Sequence, residues 1–133
     1  RSVSRGLGDV YKRQDPFFKS KVAQIELDLS ALEMTELRGL AAEREGKGPG
    51  AESSLLKIKG TELQQRLTSL ALEAAGHEAL PFGGPYGFKD QEVSSSKAAQ
   101  LTAAKYLNFR KVTIYGGTNE IQKNIIAKAV LGL

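Results

Sequence analysis

Between Asp15 and Glu45, apolar side chains recur at Phe18, Val22, Ile25, Leu29 and Leu32, spaced by four, three, four and three residues. That spacing follows the 3.6-residue turn and puts all five on one face of an α-helix. Leu37 and Leu40 continue the stripe with a small drift. The start is marked by Asp15-Pro16: an aspartate can cap free amides, and proline suits a first helical position. The stretch "EGKGPG" stops the helix near Glu45. No part of the chain alternates cleanly between apolar and polar residues, as a half-buried strand does.

Three further segments repeat the pattern. A second helix begins between Ala51 and Ser54, with Leu56, Leu63, Leu67, Leu70 and Ala74 as its stripe. Gly60 lies inside it at a cost of up to about 1 kcal/mol relative to alanine, and Gly76 is its expected stop. Residues 80–90, "LPFGGPYGFKD", read as a loop. A third helix starts at Ser94–Ser96 and runs through Ala99, Ala103 and Leu107 to about Val112. After Gly116-Gly117, Thr118 caps a fourth helix that buries Ile121, Ile125 and Ala129 or Val130, and Gly132 ends it. Short connections between such helices imply antiparallel neighbours, so the expected fold is all-α, an antiparallel up-down four-helix bundle. Ile121, Ile125, Ile126, Val130, Leu131 and Leu133 spread over more than one face of the fourth helix. Part of that surface is expected to meet another subunit or domain.

Composition narrows the chemistry. The chain has no cysteine, which excludes disulfides, thiolate metal sites and a cysteine nucleophile. Its one histidine, His77, rules out a histidine-rich metal site and reads as a cap or solvated residue at a helix end. No run approaches a membrane span, and no secretory leader pattern is visible. A cytoplasmic protein fits these features. The net charge of +4 comes mostly from residues 1–14, where Arg1, Arg5, Lys12 and Arg13 face Asp9 alone. Residues 15–133 hold no basic cluster of the kind nucleic-acid binding needs. The first fourteen residues also lack any helical or strand period. They resemble the translated read-through of sequencing adapter; the other reading is a disordered basic arm. Residues 15–133 are taken as the folded domain, and on the first reading its true upstream sequence is missing.

The stretch "RKVTIYGGTNEIQKNIIAK", residues 110–128, carries the strongest site signal. A helix N-terminus presents unpaired N–H groups and the positive end of its dipole, and it favours electron-rich ligand groups. Two glycines before it let a ligand approach the backbone without a Cβ in the way. Read by spacing alone, the same residues are a turn and a cap. The Ser94–Ser96 cluster has no nucleophile motif and reads as a helix start.

"IYGGTNEIQKNIIAKAVLGL", 114–133, is similar to the terminal segment of the acyl-CoA dehydrogenases. "DPFFKSKVAQIELDLSALEMTELR", 15–38, and "ESSLLKIKGTELQQRLTSLALEAAG", 52–76, resemble preceding helices of the same C-terminal domain. The resemblance covers everything after residue 14. It implies a larger enzyme with an N-terminal helical domain, a middle β-domain and this domain, binding FAD non-covalently as a dimer or tetramer. It implies removal of a proton from the α-carbon of an acyl-CoA and hydride transfer from the β-carbon to FAD, with electrons leaving to an electron-transfer flavoprotein. By the same resemblance, Thr118, Asn119 and Glu120 contact FAD together with Gly117, and Tyr115 lines the junction of flavin and substrate. Gly76 matches the segment that reaches the partner subunit's FAD, without the usual Gly-Gly pair and polar residue.

One departure matters. Many members of this family place the catalytic glutamate directly after the tyrosine matching Tyr115, and here that position is Gly116. Proton abstraction needs a positioned base, so no catalytic residue is assigned within this chain. Either the base comes from an upstream helix, as in branches resembling the isovaleryl and long-chain types, or the chain is the non-catalytic member of a heteromeric dehydrogenase, as in branches that degrade steroid side chains. An oxygen-using relative and a purely structural helical assembly module stay open as well. The bare 133-residue chain is expected to be inactive.

Overall fold

The computed structural model describes residues 12, 14–48, 50–80 and 97–132. Among them are four α-helices and no strand: α1 (Pro16–Arg44), α2 (Glu52–Ala75), α3 (Lys97–Asn108) and α4 (Asn119–Leu131). Short 3-10 turns follow α2 at Gly76–Ala79 and α3 at Phe109–Thr113. The all-α class is as expected from the periodicity. The expected loop at 80–90 and the Ser94–Ser96 helix start lie outside the described residues, apart from exposed Leu80.

Local chemistry sets the helix ends. The Phe17 amide donates to the Asp15 carboxylate at 2.9 Å, with proline next in line. At the far end of α2, Gly76 takes φ +55°, a conformation that disfavours any side chain. The third helix departs from expectation. It loses α-helical pitch after Asn108 and tightens into the 3-10 turn that buries Val112. Such tightening is common at helix C-termini.

Helix α2 is the hub. It packs against α1 on one side and against α3, the Phe109–Thr113 turn and α4 on the other. The pairs Lys21–Glu73 and Arg66–Asp28 match rising numbers on α1 with falling numbers on α2, so the two run antiparallel. Lys57 reaching Thr113 and Arg110 reaching Thr68 show the same for α2 against the 3-10 turn that ends α3.

The buried apolar residues are Ile58, Leu63, Leu70, Ala79, Ala99 and Val112. Several expected core positions are not among them. In α1 the half-buried stripe is Phe18, Val22, Ile25, Asp28, Leu32, Thr35, Gly39 and Ala42, so it contains Asp28 and Thr35 where Leu29 and Leu37 were expected. Leu29, Leu37 and Leu40 are about half exposed, because among the described residues α1 packs mainly against α2, and one neighbour covers only a narrow seam. Leu67 and Leu107 are exposed as well, while Ile58 takes a core place that the stripe did not include. In α4, Ile121, Ile125 and Val130 are exposed at 53%, 45% and 65%, and Ala129 is exposed too. The residue α4 buries is polar, Asn119.

Candidate functional site

The chain leaves the Phe109–Thr113 turn through Ile114 and Tyr115, whose amides both donate to the Lys111 carbonyl, at 2.9 and 3.3 Å. Gly116 and Gly117 then take φ +67° and +83°. Both values lie in the left-handed region, where a Cβ is strained. A Cβ at Gly116 would meet nothing, so its constraint is conformational. A Cβ at Gly117 would sit 2.6 Å from the Gln122 amide nitrogen. The turn therefore presents open backbone at Gly116, while the Gln122 side chain lies against Gly117, immediately before a helix.

Thr118 opens that helix in extended conformation, and its hydroxyl accepts the Ile121 amide at 3.3 Å. Glu120 lies in the first turn. Its carboxyl is held below the usual carboxylate range, first by its own backbone N–H and then by the Thr118 hydroxyl. The carboxylate thus stays ionised beside the positive end of the helix. Tyr115 and Glu120 are exposed around the turn.

Asn119 sits behind this mouth and is 6% exposed. Its side-chain oxygen points into the domain, accepting from Lys57 Nζ at 2.8 Å and from the Thr61 hydroxyl at 3.2 Å. Lys57 Nζ also donates to the Thr113 carbonyl at 3.4 Å. One turn further along α2, the Gln65 amide nitrogen donates to the Arg110 carbonyl at 3.0 Å. Arg110 donates back to the Gln65 carbonyl at 2.8 Å and to the Thr68 hydroxyl at 3.1 Å, with its guanidinium 4.3 Å from the centre of the Tyr106 ring. Lys57, Thr61, Gln65 and Thr68 recur at four, four and three, so they form a polar stripe down one face of α2. Apolar periodicity does not reveal this stripe, which polar residues carry in the same helical spacing.

The structure brings Tyr115, Gly116, Gly117, Thr118, Asn119 and Glu120 together at one helix mouth. It does not bring Gly76 to them. Asn119 touches α2 at Lys57 and Thr61, and Gly76 lies at least fifteen residues further along, roughly 20 Å or more at the helical rise. A single chain thus offers two separate surfaces. Elsewhere, Glu73 is bound to Lys21, and His77 lies exposed in the 3-10 turn after α2. Among the described residues no group of three His, Cys, Asp or Glu could hold a metal ion. Among the same residues no helix is long and apolar enough to cross a membrane.

The turn places two glycines and an exposed tyrosine beside the positive end of a helix, which favours an electron-rich group. Residues 12–131 match the family model described as acyl-CoA dehydrogenase, C-terminal domain. The acyl-CoA dehydrogenase IpdE1 of Mycobacterium tuberculosis is 30% identical over 122 residues, covering 90% of this chain and 27% of that protein. IpdE1 of Mycolicibacterium smegmatis is 29% identical over 119 residues, covering 90% and 26%. The chain thus spans about a quarter of the length of these curated relatives. No solved structure matches it with significance.

Proposed function

Because this chain belongs to the acyl-CoA dehydrogenase family, as its C-terminal domain, we propose that it supplies part of an FAD site in an enzyme that dehydrogenates acyl-CoA thioesters. The observation that carries the reading is the paired positive-φ glycines, Gly116 and Gly117, opening directly onto the capped N-terminus of α4. The Asn119 backbone amide at that end has no acceptor among the described residues. Such a group favours an electron-rich partner. Thr118, Glu120 and the Gly117 backbone would hold the cofactor, and Tyr115 would line its border with the acyl group.

Bound there, FAD supplies the hydride acceptor for α,β-dehydrogenation. This chain's residues bind and orient it. Gly116 offers no proton acceptor, so the base that takes the α-proton comes from elsewhere in the enzyme. On this reading the 133 residues alone do not dehydrogenate. Gly76, at the other end of α2, serves the FAD of a second subunit. The exposed Ile121, Ile125, Val130 and Leu131 on α4 support dimer or tetramer contacts. Electrons pass to an electron-transfer flavoprotein, and the enzyme works in the cytoplasm. The same Gly116 favours a second reading, in which this chain is the non-catalytic subunit of a heteromeric dehydrogenase.

The test is anaerobic addition of acyl-CoA esters to the purified full-length protein while its flavin absorbance is followed. Bleaching supports a catalytic subunit. Bound FAD that bleaches only after a partner subunit is added supports the second reading. A full-length protein, alone or with its partner, that holds no FAD contradicts both.

A further inference from the structure

The mouth of α4 is not held by its own helix alone. Asn119 is the residue α4 buries, and the partners of its side-chain oxygen are Lys57 and Thr61 of α2. Lys57 grips both sides of the turn: Thr113 before the glycines and Asn119 after them. Between those two anchors the ties are local: the Ile114 and Tyr115 amides donate to the Lys111 carbonyl, and Thr118 caps α4, so among the described residues Gly116 and Gly117 have no bond to α2. Gln122 reaches back to the Gly116 carbonyl only at 3.5 Å, and Ile114, Tyr115, Gly116 and Gly117 are exposed. A turn with two left-handed glycines is conformationally permissive. Its shape therefore depends on where its two ends are held.

We infer that Lys57 and Thr61 are positioning residues for the Gly116–Glu120 turn, acting through Asn119 and the Thr113 carbonyl and touching no ligand themselves. This rests on the flavin reading above. The Lys57 ammonium is half-buried beside two acceptors, where a charge-assisted hydrogen bond outweighs a neutral one. Removing it leaves the buried Asn119 oxygen with the Thr61 hydroxyl at 3.2 Å, whose single proton is shared with the Lys57 and Ile58 carbonyls at 2.9 Å. The hold of α2 on the helix N-terminus is then weakened.

The experiment compares FAD dissociation constants and melting temperatures of full-length variants. Lys57→Met is expected to weaken FAD binding about tenfold or more, the scale of a lost hydrogen bond to a charged group. Lys57→Arg keeps a donor and should recover most of that loss. Thr68→Val is the control. It removes the bond from Arg110 in the same seam but none to Thr113 or Asn119. At comparable loss in melting temperature it should leave FAD affinity within about threefold of wild type, the span of less than one typical hydrogen bond. Should Lys57→Met fail to fold, Thr61→Val removes the second donor to Asn119 and should weaken FAD by about fivefold, the scale of one typical hydrogen bond and beyond the span allowed to the control. Equal weakening by the Lys57 and Thr68 variants overturns the inference, since a merely structural seam predicts it. So does unchanged affinity in the Lys57 and Thr61 variants of a wild type that binds FAD. A wild type that holds no FAD overturns the flavin reading and the inference together.

Discussion

The two sides of α2 are built differently. Toward α1 it makes a seam in which Leu63 and Leu70 of α2 are buried but α1 itself buries no residue, with the exposed ion pairs Lys21–Glu73 and Arg66–Asp28 across it. Toward α3, the Phe109–Thr113 turn and α4 it makes a seam with buried Val112, buried Asn119 and a four-residue polar stripe. Exposed ion pairs contribute little and are easily broken. Buried, satisfied polar networks fix one geometry, because any slip leaves groups unpaired. The side that carries the proposed site is therefore the side whose geometry is specified within this chain. The α1 side leaves its outer face open to whatever else it meets.

The largest expected effect comes from the core of α2. Leu63→Ala should destabilise the full-length protein by about 2–5 kcal/mol in chemical denaturation, whereas Leu29→Ala on α1 should stay within about 0.5 kcal/mol. A Leu29 loss as large as that of Leu63 would show that α1 is covered as firmly as α2, and would break the contrast. Next is the cap of α4. Thr118→Ala should cost about 1 kcal/mol and weaken FAD binding as well. A stability loss with FAD affinity intact would separate the cap from the cofactor.

Gly60→Ala has the opposite sign. A Cβ there meets nothing, so helix propensity should raise stability by up to about 1 kcal/mol. No gain would mean that another element lies against α2 at Gly60.

The smallest effect tests the α1 seam. The Arg66 guanidinium, with Gln24, holds the Asp28 carboxyl below its ordinary range. A lowered folded value means that this contribution is present above about pH 4 and is lost as pH falls through the folded value. Asp28→Asn should flatten that acid limb of an unfolding titration and leave neutral-pH stability nearly unchanged. An unaltered acid limb would show that the pair contributes nothing.

The helices were legible because burial against one neighbour repeats every 3.6 residues, and the caps Asp15 and Thr118 carry their own chemistry. The core was less so. Apolar spacing cannot tell a face turned inward from one turned to a partner, and so Ile121, Ile125 and Val130 read as core yet stand exposed. The candidate turn was visible as Gly116-Gly117-Thr118. Its support was not, because Lys57 and Thr61 lie some sixty residues upstream, and lysine on a helix ordinarily reads as solvent-facing. Nor did spacing distinguish Asn119 from its exposed neighbour Glu120.

The most direct test of the central claim is hydrogen–deuterium exchange of the full-length protein with and without FAD, read along residues 114–122 and across α1. The account predicts that FAD slows exchange at the glycine turn and the first turn of α4, while α1 is unchanged. Exchange at 114–122 that ignores a bound flavin would contradict it, and would return the Gly-Gly-Thr stretch to a turn and a cap.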